Sequence, residues 1–359
     1  MTRGVVYAEP GARPVVEEIV LDPPGAHEVQ VRVEACGLCH TDVHVVETGG
    51  WGMPFPILLG HEGAGVVEEV GPEVTSVAPG DRVVVAWRAP CGTCRSCRRG
   101  DPRRCSSALR AEPRVRRAVD GELLSAVLRC GTLADRAIVH EACAVKVPRE
   151  LPVEQAALLA CGFSTGAGAA LWATPVPEGA SVAVVGCGGV GLAVVQGAKL
   201  AGAERIVAID VAAEKLDAAL ALGATDVVDA SAADPVEQVK TLMRRVDFAF
   251  SAVGAASGLD QAVRMCGYGG TATLVGVPTD GATLGVDLYR HVFGPKVRIA
   301  VTHGGDTIPQ EDFPFLAQAA LEGKLDLARF VSRSLPLEDV PDALEHLGAG
   351  GDIRAVALL

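Results

Sequence analysis

The sequence is poor in aromatic residues and has no long uninterrupted hydrophobic run. Phe, Trp and Tyr together make up 4% of its 359 residues. Gly, Lys, Glu or Arg interrupts each apolar stretch well before the roughly 18 residues that a membrane-spanning helix needs, so no membrane partner is expected. The first residues, MTRGVVYAEP, lack the apolar region of a secretory signal, which favours a cytoplasmic protein.

Positive charge is also scarce, with 32 Lys and Arg against 44 Asp and Glu and a net charge of −12. A field of that sign repels a phosphate backbone, so no nucleic-acid partner is expected. The arginine-rich segment 95–117 is interpreted mainly as solvated loop surface. What the chain does have is 49% hydrophobic residues and a length beyond that of one compact core, which together predict two well-buried domains.

Two kinds of hydrophobic pattern divide the chain. Up to about residue 150, short apolar runs such as VQVRVEA and RVVVAW are separated by Gly and Pro turns, which indicates a β-rich domain. From about Ser181, runs such as SVAVVG and RIVAID alternate with helical segments such as GLAVVQGAKLAG, as in a parallel α/β sheet. The last strand-like run, IRAVALL, could rejoin the first domain.

One group of cysteines has the close spacing C-x2-C-x2-C-x7-C: Cys91, Cys94, Cys97 and Cys105. Four thiolates this close suit a tetrahedral Zn²⁺ site without an open coordination position. Disulfides are an alternative, but the amino terminus does not indicate an oxidising compartment. Iron–sulfur ligation is a second alternative that lacks the usual cluster spacing. The sequence therefore predicts a structural zinc.

Three further segments each offer one zinc ligand: Cys39 in CGLCHTDVH, His61 in GHEGAG and Cys161 in CGFSTG. Two thiolates and one imidazole leave a fourth position open for water or substrate oxygen, as in a catalytic zinc site. Taken singly, His61 could be a structural histidine and Cys161 a small buried residue. Asp42 and Glu62 are carboxylates that could support the imidazole or the metal, although Glu62 alone could be a solvated surface acid.

Thr41 and His44 closely follow the predicted ligand Cys39. A hydroxyl next to a metal-bound alcohol can accept its proton, and a histidine that titrates near neutrality can pass this proton to water. A turn hydroxyl and a surface histidine are the alternatives for this pair. A proton relay is our hypothesis.

Gly186, Gly188 and Gly191 form the pattern G-x-G-x-x-G between a predicted strand and a predicted helix. Such glycines permit a tight turn and the close approach of a pyrophosphate, which the helix amino terminus stabilises. The next strand ends in Asp210, whose carboxylate can bind ribose hydroxyls and repels the 2′-phosphate of NADP. Lys215 could also reach the ribose or be an exposed helix charge. The sequence predicts NAD binding.

In the order of these motifs the chain resembles the zinc-containing medium-chain alcohol dehydrogenases over nearly its whole length. The resemblance implies a GroES-like β-rich catalytic domain, residues 1–162 and 306–359, with a structural zinc lobe at about 88–108. It implies an inserted doubly wound Rossmann domain at 163–305, an α/β fold with a parallel sheet. Members usually form dimers or tetramers. The segment between Cys105 and Cys161 is long enough for a loop of the dimeric, liver-type and class III branch. The lobe and the carboxyl terminus look similar to actinobacterial mycothiol-dependent formaldehyde dehydrogenases.

The same resemblance assigns roles to individual residues. Cys39, His61 and Cys161 would bind a catalytic zinc with Glu62 close behind it, and Thr41 and His44 would form the proton relay. Trp87 and also Trp51 would be walls of the substrate pocket. We expect NAD to contact a larger set: His40, Gly186, Gly188, Gly189, Val190, Gly191, Asp210, Lys215, Val253, Val275, Val277 and Arg354.

The predicted reaction is reversible hydride transfer between NAD and an alcohol or a hydroxymethyl-thiol adduct, which gives an aldehyde, ketone or thioester and NADH. A zinc-free NAD-binding reductase or non-enzymatic relative is one alternative, and a redox-neutral enzyme of the same fold is another. The complete ligand set favours the dehydrogenase. The pattern assigns no role to five cysteines, of which only the first lies near a predicted ligand: Cys36, Cys130, Cys143, Cys187 and Cys266.

Overall fold

The computed structural model describes residues 1–348 and 353–359 and divides into two compact units. One contains Met1–Cys161 and Ile308–Leu359, and the other contains Gly162–Thr307. The boundaries expected from the sequence, after residues 162 and 305, differ from these by one and two residues. Among the described residues, the structure has no helix that combines the length and the apolar character needed to cross a membrane.

The first segment of the β-rich unit forms strands because its apolar side chains alternate with polar ones. In VQVRVEA, for example, Val29, Val31 and Val33 are buried whereas Arg32 is exposed. This segment also has three α-helices: α1 His40–Glu47, α2 Arg95–Arg98 and α3 Val153–Leu158. The strands are β1 Thr2–Tyr7, β2 Val15–Leu21, β3 Glu28–Gly37, β4 Ile57–Leu58, β5 Glu62–Val70, β6 Arg82–Val85, β7 Val115–Arg117, β8 Ser125–Ala126, β9 Arg136–His140 and β10 Ala144–Lys146.

The second unit is a parallel α/β sheet with the strand order β13-β12-β11-β14-β15-β16. Its strands are β11 Ser181–Val185, β12 Arg205–Asp210, β13 Asp226–Asp229, β14 Val246–Ser251, β15 Cys266–Leu274 and β16 Arg298–Val301. Its helices are α4 Gly162–Gly168, α5 Gly189–Leu200, α6 Ala213–Leu222, α7 Pro235–Met243 and α8 Ala256–Met265. The strand order reverses between β11 and β14, and in such doubly wound sheets ligands bind at the carboxyl ends of the strands beside this switch point. The predicted Rossmann architecture is confirmed.

The last segment returns to the β-rich unit through α9 Pro309–Leu321, β17 Arg333–Pro336, α10 Val340–Gly348 and β18 Ala355–Leu358. Strand β18 lies antiparallel to β3, with Val356 opposite Gly37. It thereby joins the sheet β10-β6-β5-β3-β18-β17, in which β9 also pairs with β3. The β-rich unit has a second sheet with the strand order β7-β2-β1-β4-β8. The run IRAVALL therefore does return to the first domain.

Candidate active site and metal centres

A buried cluster of ligand-type side chains lies in the β-rich unit. One ligand atom from each of Cys39, His61, Glu62 and Cys161 lies within 4.8 Å of the others. Cys39 directly precedes α1, His61 and Glu62 stand where β5 begins, and Cys161 follows α3. His61 and Glu62 have no exposed surface. The structure thus brings together the three predicted ligands and Glu62, and Glu62 is not the solvated surface acid considered as its alternative.

Asp42 orients the imidazole of His61. Its Oδ2 lies 3.2 Å from His61 Nδ1, and its Oδ1 accepts a hydrogen bond of 2.8 Å from the backbone N–H of Gly60. Burial disfavours the charged imidazolium, but the negative charges of Asp42 and Cys39 outweigh that effect and raise the pKa of His61 well above its usual value. With Nδ1 directed at Asp42, Nε2 is the ring nitrogen left for another partner.

The side chains of this cluster fit a zinc ion. Both ring nitrogens of His61 are buried and form no hydrogen bond with the described residues, although buried polar atoms are nearly always satisfied. Nδ1 has the carboxylate of Asp42 3.2 Å away, which leaves Nε2 as the nitrogen that a metal could occupy. The hydrogen bond from Cys161 lowers the pKa of Cys39 well below its usual value against the effect of burial, and the charges of His61 and Arg354 act in the same direction. One imidazole nitrogen and two sulfurs, one of them a stabilised thiolate, are a donor set that zinc prefers.

Arg354 forms a buried ion pair beside this cluster. Its Nη1 lies 3.3 Å from Glu62 Oε1 and donates a hydrogen bond of 2.9 Å to the carbonyl oxygen of Leu38. Burial disfavours its charge, but Glu62 outweighs that effect and raises the pKa of the guanidinium. A Cβ atom at Gly37 would overlap Glu62 Oε2, so glycine makes room for the carboxylate. The expected contact of Arg354 with a cofactor stays a prediction.

The residues of the predicted relay lie on α1, next to the cluster. Thr41 Oγ1 is 3.7 Å from Cys39 Sγ. His44 stands one turn later with 40% of its side chain exposed, and its Nδ1 lies 3.8 Å from Glu47 Oε2. His40, at the start of the helix, is exposed. The helix therefore presents a hydroxyl near the sulfur of Cys39 and a histidine to solvent.

The four-cysteine lobe has the geometry of a closed metal site. The sulfur of Cys105 lies 3.6 Å from that of Cys91 and 3.9 Å from that of Cys94, and Cys97 completes the group. A tetrahedral zinc with bonds of about 2.3 Å separates its sulfurs by about 3.8 Å, whereas a disulfide needs about 2.05 Å. Backbone amides of Cys97 and Ser106 lower the pKa of Cys94 to about 5, which favours its thiolate. All eleven cysteines are free, so the lobe holds no disulfide.

The two tryptophans expected at the substrate pocket differ in their surroundings. Trp51 has a φ of +50°, between glycines that also have positive φ values, and is 49% exposed. Trp87 follows β6, is half-buried, and has the guanidinium of Arg88 5.6 Å from its ring centroid. Both lie in the unit that contains the ligand cluster.

The glycine loop joins β11 to α5 at the switch point of the parallel sheet. Gly186 has a φ of +91°, a conformation that favours glycine. A Cβ atom at Gly191 would overlap the carbonyl oxygen of Gly186, so a side chain there would break the packing of the turn. Next to Gly188 there is open space. The loop therefore leaves the amino end of α5, at Gly189 and Val190, open to an anion.

Asp210 lies at the carboxyl end of β12, where its carboxylate accepts backbone hydrogen bonds of 2.6 Å from Cys187 and 2.8 Å from Val211. These bonds hold the carboxylate against the glycine loop. The remaining expected cofactor residues are placed as follows: Lys215 is half-buried on α6, Val253 and Val275 follow the carboxyl ends of β14 and β15, and Val277 is 53% exposed.

The cysteines without an assigned role lie outside both clusters. Cys36 is fully buried on β3, its Sγ lies 3.3 Å from Thr132 Oγ1, and burial raises its pKa. Burial also raises the pKa of Cys143, Cys187 and Cys266 to about 12, and Cys130 is buried as well. These are neutral core thiols. Sequence analysis missed Gly37, for which a glycine two residues before a predicted ligand was the only signal.

Comparisons with known proteins agree with this geometry. Residues 25–149 match the family model described as alcohol dehydrogenase GroES-like domain, and residues 189–322 match that described as zinc-binding dehydrogenase. The chain is 36% identical to S-(hydroxymethyl)glutathione dehydrogenase of Photobacterium damsela subsp. piscicida over an alignment of 366 positions, which covers 99% of each protein.

Two solved structures share the fold over the full length of the chain. An alcohol dehydrogenase zinc-binding domain protein from Burkholderia ambifaria is 35% identical with a TM-score of 0.94, and 98% of it is covered. Benzyl alcohol dehydrogenase from Acinetobacter calcoaceticus is 29% identical with a TM-score of 0.92, and 99% of it is covered.

The chain belongs to the zinc-dependent medium-chain alcohol dehydrogenases. It is an oxidoreductase of this class, an NAD-dependent alcohol dehydrogenase that acts on a small molecule. The predicted family, GroES-like and Rossmann fold, zinc and nicotinamide cofactors and enzyme class are confirmed.

Proposed function

We propose that Cys39, His61 and Cys161 would hold a catalytic zinc, with Glu62 close behind it, and that the substrate is a primary alcohol. The observation that carries this proposal is the buried Nε2 of His61, which has no partner among the described residues and lies within 4.8 Å of ligand atoms from both cysteines. When bound, zinc supplies a Lewis acid that lowers the pKa of the alcohol hydroxyl. Cys91, Cys94, Cys97 and Cys105 bind a second, structural zinc.

In the proposed mechanism the protein's own side chains position the imidazole and move the proton. Asp42 fixes His61 through Nδ1, so that Nε2 faces the metal. Thr41, whose hydroxyl lies 3.7 Å from Cys39 Sγ, accepts the proton that leaves the alcohol. His44, partly exposed one helical turn later, releases this proton to water. In the direction of carbonyl reduction the same groups deliver the proton.

We propose that the glycine loop would hold NAD, which when bound would supply the hydride acceptor for the carbinol carbon. The pyrophosphate fits against the glycine loop of Gly186, Gly188 and Gly191. Asp210 selects NAD because its carboxylate would repel the 2′-phosphate of NADP. The other proposed cofactor contacts are His40, Gly189, Val190, Lys215, Val253, Val275, Val277 and Arg354.

The relatives support a primary carbinol as the reacting group. S-(hydroxymethyl)glutathione and benzyl alcohol, which appear in the names of two relatives, both carry a CH₂OH group. We therefore propose either a primary alcohol or the hydroxymethyl adduct of a small thiol as substrate. NADH formation that requires both formaldehyde and a thiol such as mycothiol or glutathione would select the adduct.

A substitution of His61 tests the catalytic metal site. In His61→Ala we expect turnover to fall below detection and the zinc content to drop from two ions per chain to one, because the variant lacks one of three protein ligands. NAD binding, followed by fluorescence titration, should be retained because the glycine loop lies in the other unit. Gln30→Ala, a change of a side chain outside the cluster, is the control. Normal turnover in a one-zinc variant would overturn the proposal.

A substitution of Asp210 tests cofactor selection. In Asp210→Gly we expect the kcat/KM ratio for NAD over NADP to fall by at least about tenfold, because the change removes both the ribose acceptor and the repulsion of the 2′-phosphate. Steady-state rates with each cofactor measure this ratio. Asp217→Gly, an exposed position on α6, is the control. An unchanged ratio would show that Asp210 does not determine the preference for NAD. It would not bear on the proposed metal site.

We further propose that the protein forms a homodimer through the edge of its parallel sheet. Strand β16 ends the sheet, and Ile299 and Val301 on it are 40% and 58% exposed. Large exposed side chains elsewhere in this unit add apolar surface: Tyr268, Leu288, Tyr289 and Phe293. An open sheet edge and an exposed apolar patch of this kind are normally covered by another protein surface, here a second copy of the chain.

Sedimentation equilibrium should give twice the chain mass of 36.9 kDa, and Val301→Lys should shift the equilibrium toward the monomer. Val119→Lys, at an apolar residue of the other unit that is 76% exposed, is the control. A fourfold mass would indicate a tetramer, and a monomer at all concentrations would overturn the proposal. A cytoplasmic location remains a prediction.

A further inference from the structure

An open cavity lies at the amino ends of the strands in the parallel α/β unit. Its volume is about 670 Å³, and all the residues that line it belong to this unit. Cavities of about 300 to 1,000 Å³ are typical of small-molecule sites. The glycine loop and Asp210 lie at the carboxyl ends of the strands, at the opposite end of the sheet. The cavity therefore has room for a ligand that does not compete with NAD.

One face of the sheet forms the floor of this cavity. Phe248 on β14 lies beside Thr271 on β15, and Thr271 lies beside Arg298 on β16. Side chains that are in register on neighbouring strands point to the same face of a sheet. All three residues line the cavity. The floor therefore presents an apolar ring, a hydroxyl and a guanidinium in one row.

The segment 173–180, which leads into β11, forms the opposite wall. Thr174 attaches this wall to the sheet, because its Oγ1 donates a hydrogen bond of 3.0 Å to the carbonyl oxygen of Ala169 and lies 3.0 Å from Thr273 Oγ1 on β15. Pro175 and Pro177 restrict the backbone of the wall. A wall held in this way loses little conformational freedom when a ligand binds.

Two charged side chains of the cavity have no partner. Glu178 on the wall and Arg298 on the floor are exposed, and neither side chain forms an ion pair or hydrogen bond within the part of the chain that the structure describes. The third charged residue of the lining, Asp247, already accepts hydrogen bonds of 2.9 and 2.7 Å from the N–H and the hydroxyl of Ser181. One carboxylate and one guanidinium thus face the same space without pairing with each other.

The two unpaired charges approach the cavity from different strands. Glu178 precedes β11 and Arg298 begins β16, and β14 and β15 lie between these two strands. Because neighbouring strands are about 4.8 Å apart, β11 and β16 are about 14 Å apart. Long side chains shorten the distance between the two charges without closing it. An extended dipeptide, whose charged ends are up to about 7 Å apart, can contact both charges at once.

We propose that this cavity binds a zwitterion of dipeptide length that carries an aromatic or apolar side chain. Arg298 binds its carboxylate through paired charge-assisted hydrogen bonds, and Glu178 binds its ammonium group. Phe248 contacts the apolar side chain of the ligand. None of these residues belongs to the proposed catalytic centre, so the cavity is a second site, and its existence does not depend on the proposed function.

Dipeptides that differ in one group test the site. Isothermal titration calorimetry should detect binding of glycylphenylalanine to wild type. Its N-acetyl derivative lacks the cation, its amide lacks the anion and glycylglycine lacks the ring, so each should bind at least about tenfold more weakly. Binding should also weaken as salt rises from about 0.05 to about 0.5 M, because exposed charges are screened. Equal affinity for all four compounds, or no binding of glycylphenylalanine, would overturn the proposal.

Variants of the two charged residues assign each end of the ligand. Arg298→Gln should weaken binding of glycylphenylalanine about tenfold and abolish its advantage over the amide, whereas Glu178→Gln should abolish its advantage over the N-acetyl derivative. Arg290→Gln and Glu214→Gln change exposed residues of the same unit outside the cavity and should leave the affinity within about twofold. Weaker binding with unchanged discrimination in both cavity variants would contradict direct contact.

Competition and assembly separate this site from the others. Saturating NAD or benzyl alcohol should leave the affinity for glycylphenylalanine within about twofold, whereas competition with either would place the dipeptide in the active site and refute the second site. Ile299 lines the cavity and lies on the strand of the proposed dimer edge. Because one chain supplies the whole lining, Val301→Lys should bind the dipeptide as wild type does, and loss of binding there would contradict a site within one chain. Absence of turnover with every alcohol would refute only the proposed function.

Discussion

The two cysteine-containing centres of the β-rich unit obtain their ligands in different ways. The lobe takes all four from the short segment between Cys91 and Cys105, which has little regular structure besides α2. The other centre combines residues as distant as Cys39 and Cys161, which meet only when strands and helices have packed. A local loop can form a metal site by itself, whereas the distant ligands require the fold first.

The two centres also differ in how deeply their ligand side chains are buried. Cys91, Cys94 and Cys97 are only partly buried, whereas His61 and Asp42 have no exposed surface. In the lobe the proposed zinc would take the place of a hydrophobic core, as in small zinc-bound domains. At the other centre the sheet and the Asp42 contact hold the ligands in place. We therefore expect loss of a lobe ligand to affect mainly stability and loss of a buried ligand to affect mainly activity.

The largest change in stability is expected for Cys105→Ser. Without this ligand the lobe loses zinc and its segment unfolds, so the free energy of unfolding should fall by about 4 kcal/mol or more. Urea unfolding and zinc analysis measure both effects, and the folded fraction should keep most of its turnover. Ser106→Ala, a change of the neighbouring exposed residue that keeps its backbone amide, is the control. An unchanged unfolding midpoint with one zinc lost would show that the lobe does not stabilise the fold.

The same comparison explains what the sequence could predict. The lobe was predictable because its ligand spacing is local, and the glycine loop because strand, glycines, helix and Asp210 follow one another along the chain. Cys39, His61 and Cys161 were predicted as ligands from the order of the motifs and the family resemblance. Their spacing along the chain does not by itself indicate that they lie close together in the fold. Their roles as ligands stay a prediction, although the structure brings them together.

Other features depend on contacts that no local pattern encodes. Arg354 reaches Glu62 only because β18 pairs with β3, which places the chain terminus beside Gly37 and Leu38. Cys36 points to Thr132 and lies outside the ligand cluster because of the face of β3 on which it lies. The left-handed turn at Leu128 and Arg129 has no glycine to signal it. Long-range pairing and packing, not composition, determine these details.

The smallest effect is expected where the lobe is attached to the rest of its unit. Arg103 donates two hydrogen bonds, of 2.6 and 3.1 Å, to the carboxylate of Asp312 near the start of α9, and Asp312 is only 4% exposed. Asp312 also accepts a hydrogen bond from the backbone N–H of Ile308, the first residue of the returning segment. Arg103→Gln should therefore lower the free energy of unfolding by about 2 kcal/mol, because it leaves a buried carboxylate without its cation. Urea unfolding measures the change, and amide hydrogen exchange should show faster exchange in α9.

Arg104 provides the matched control for this contact. It is the next residue along the chain, its side chain is 80% exposed, and it lies 3.5 Å from Asp101. Because exposed pairs contribute little, Arg104→Gln should change the free energy of unfolding by less than about 0.5 kcal/mol. Equal effects of the two substitutions would mean that the lobe is anchored by its own metal site alone. A larger effect of Arg103→Gln, together with retention of both zinc ions, would show that the lobe also fixes the point where the chain re-enters the β-rich unit.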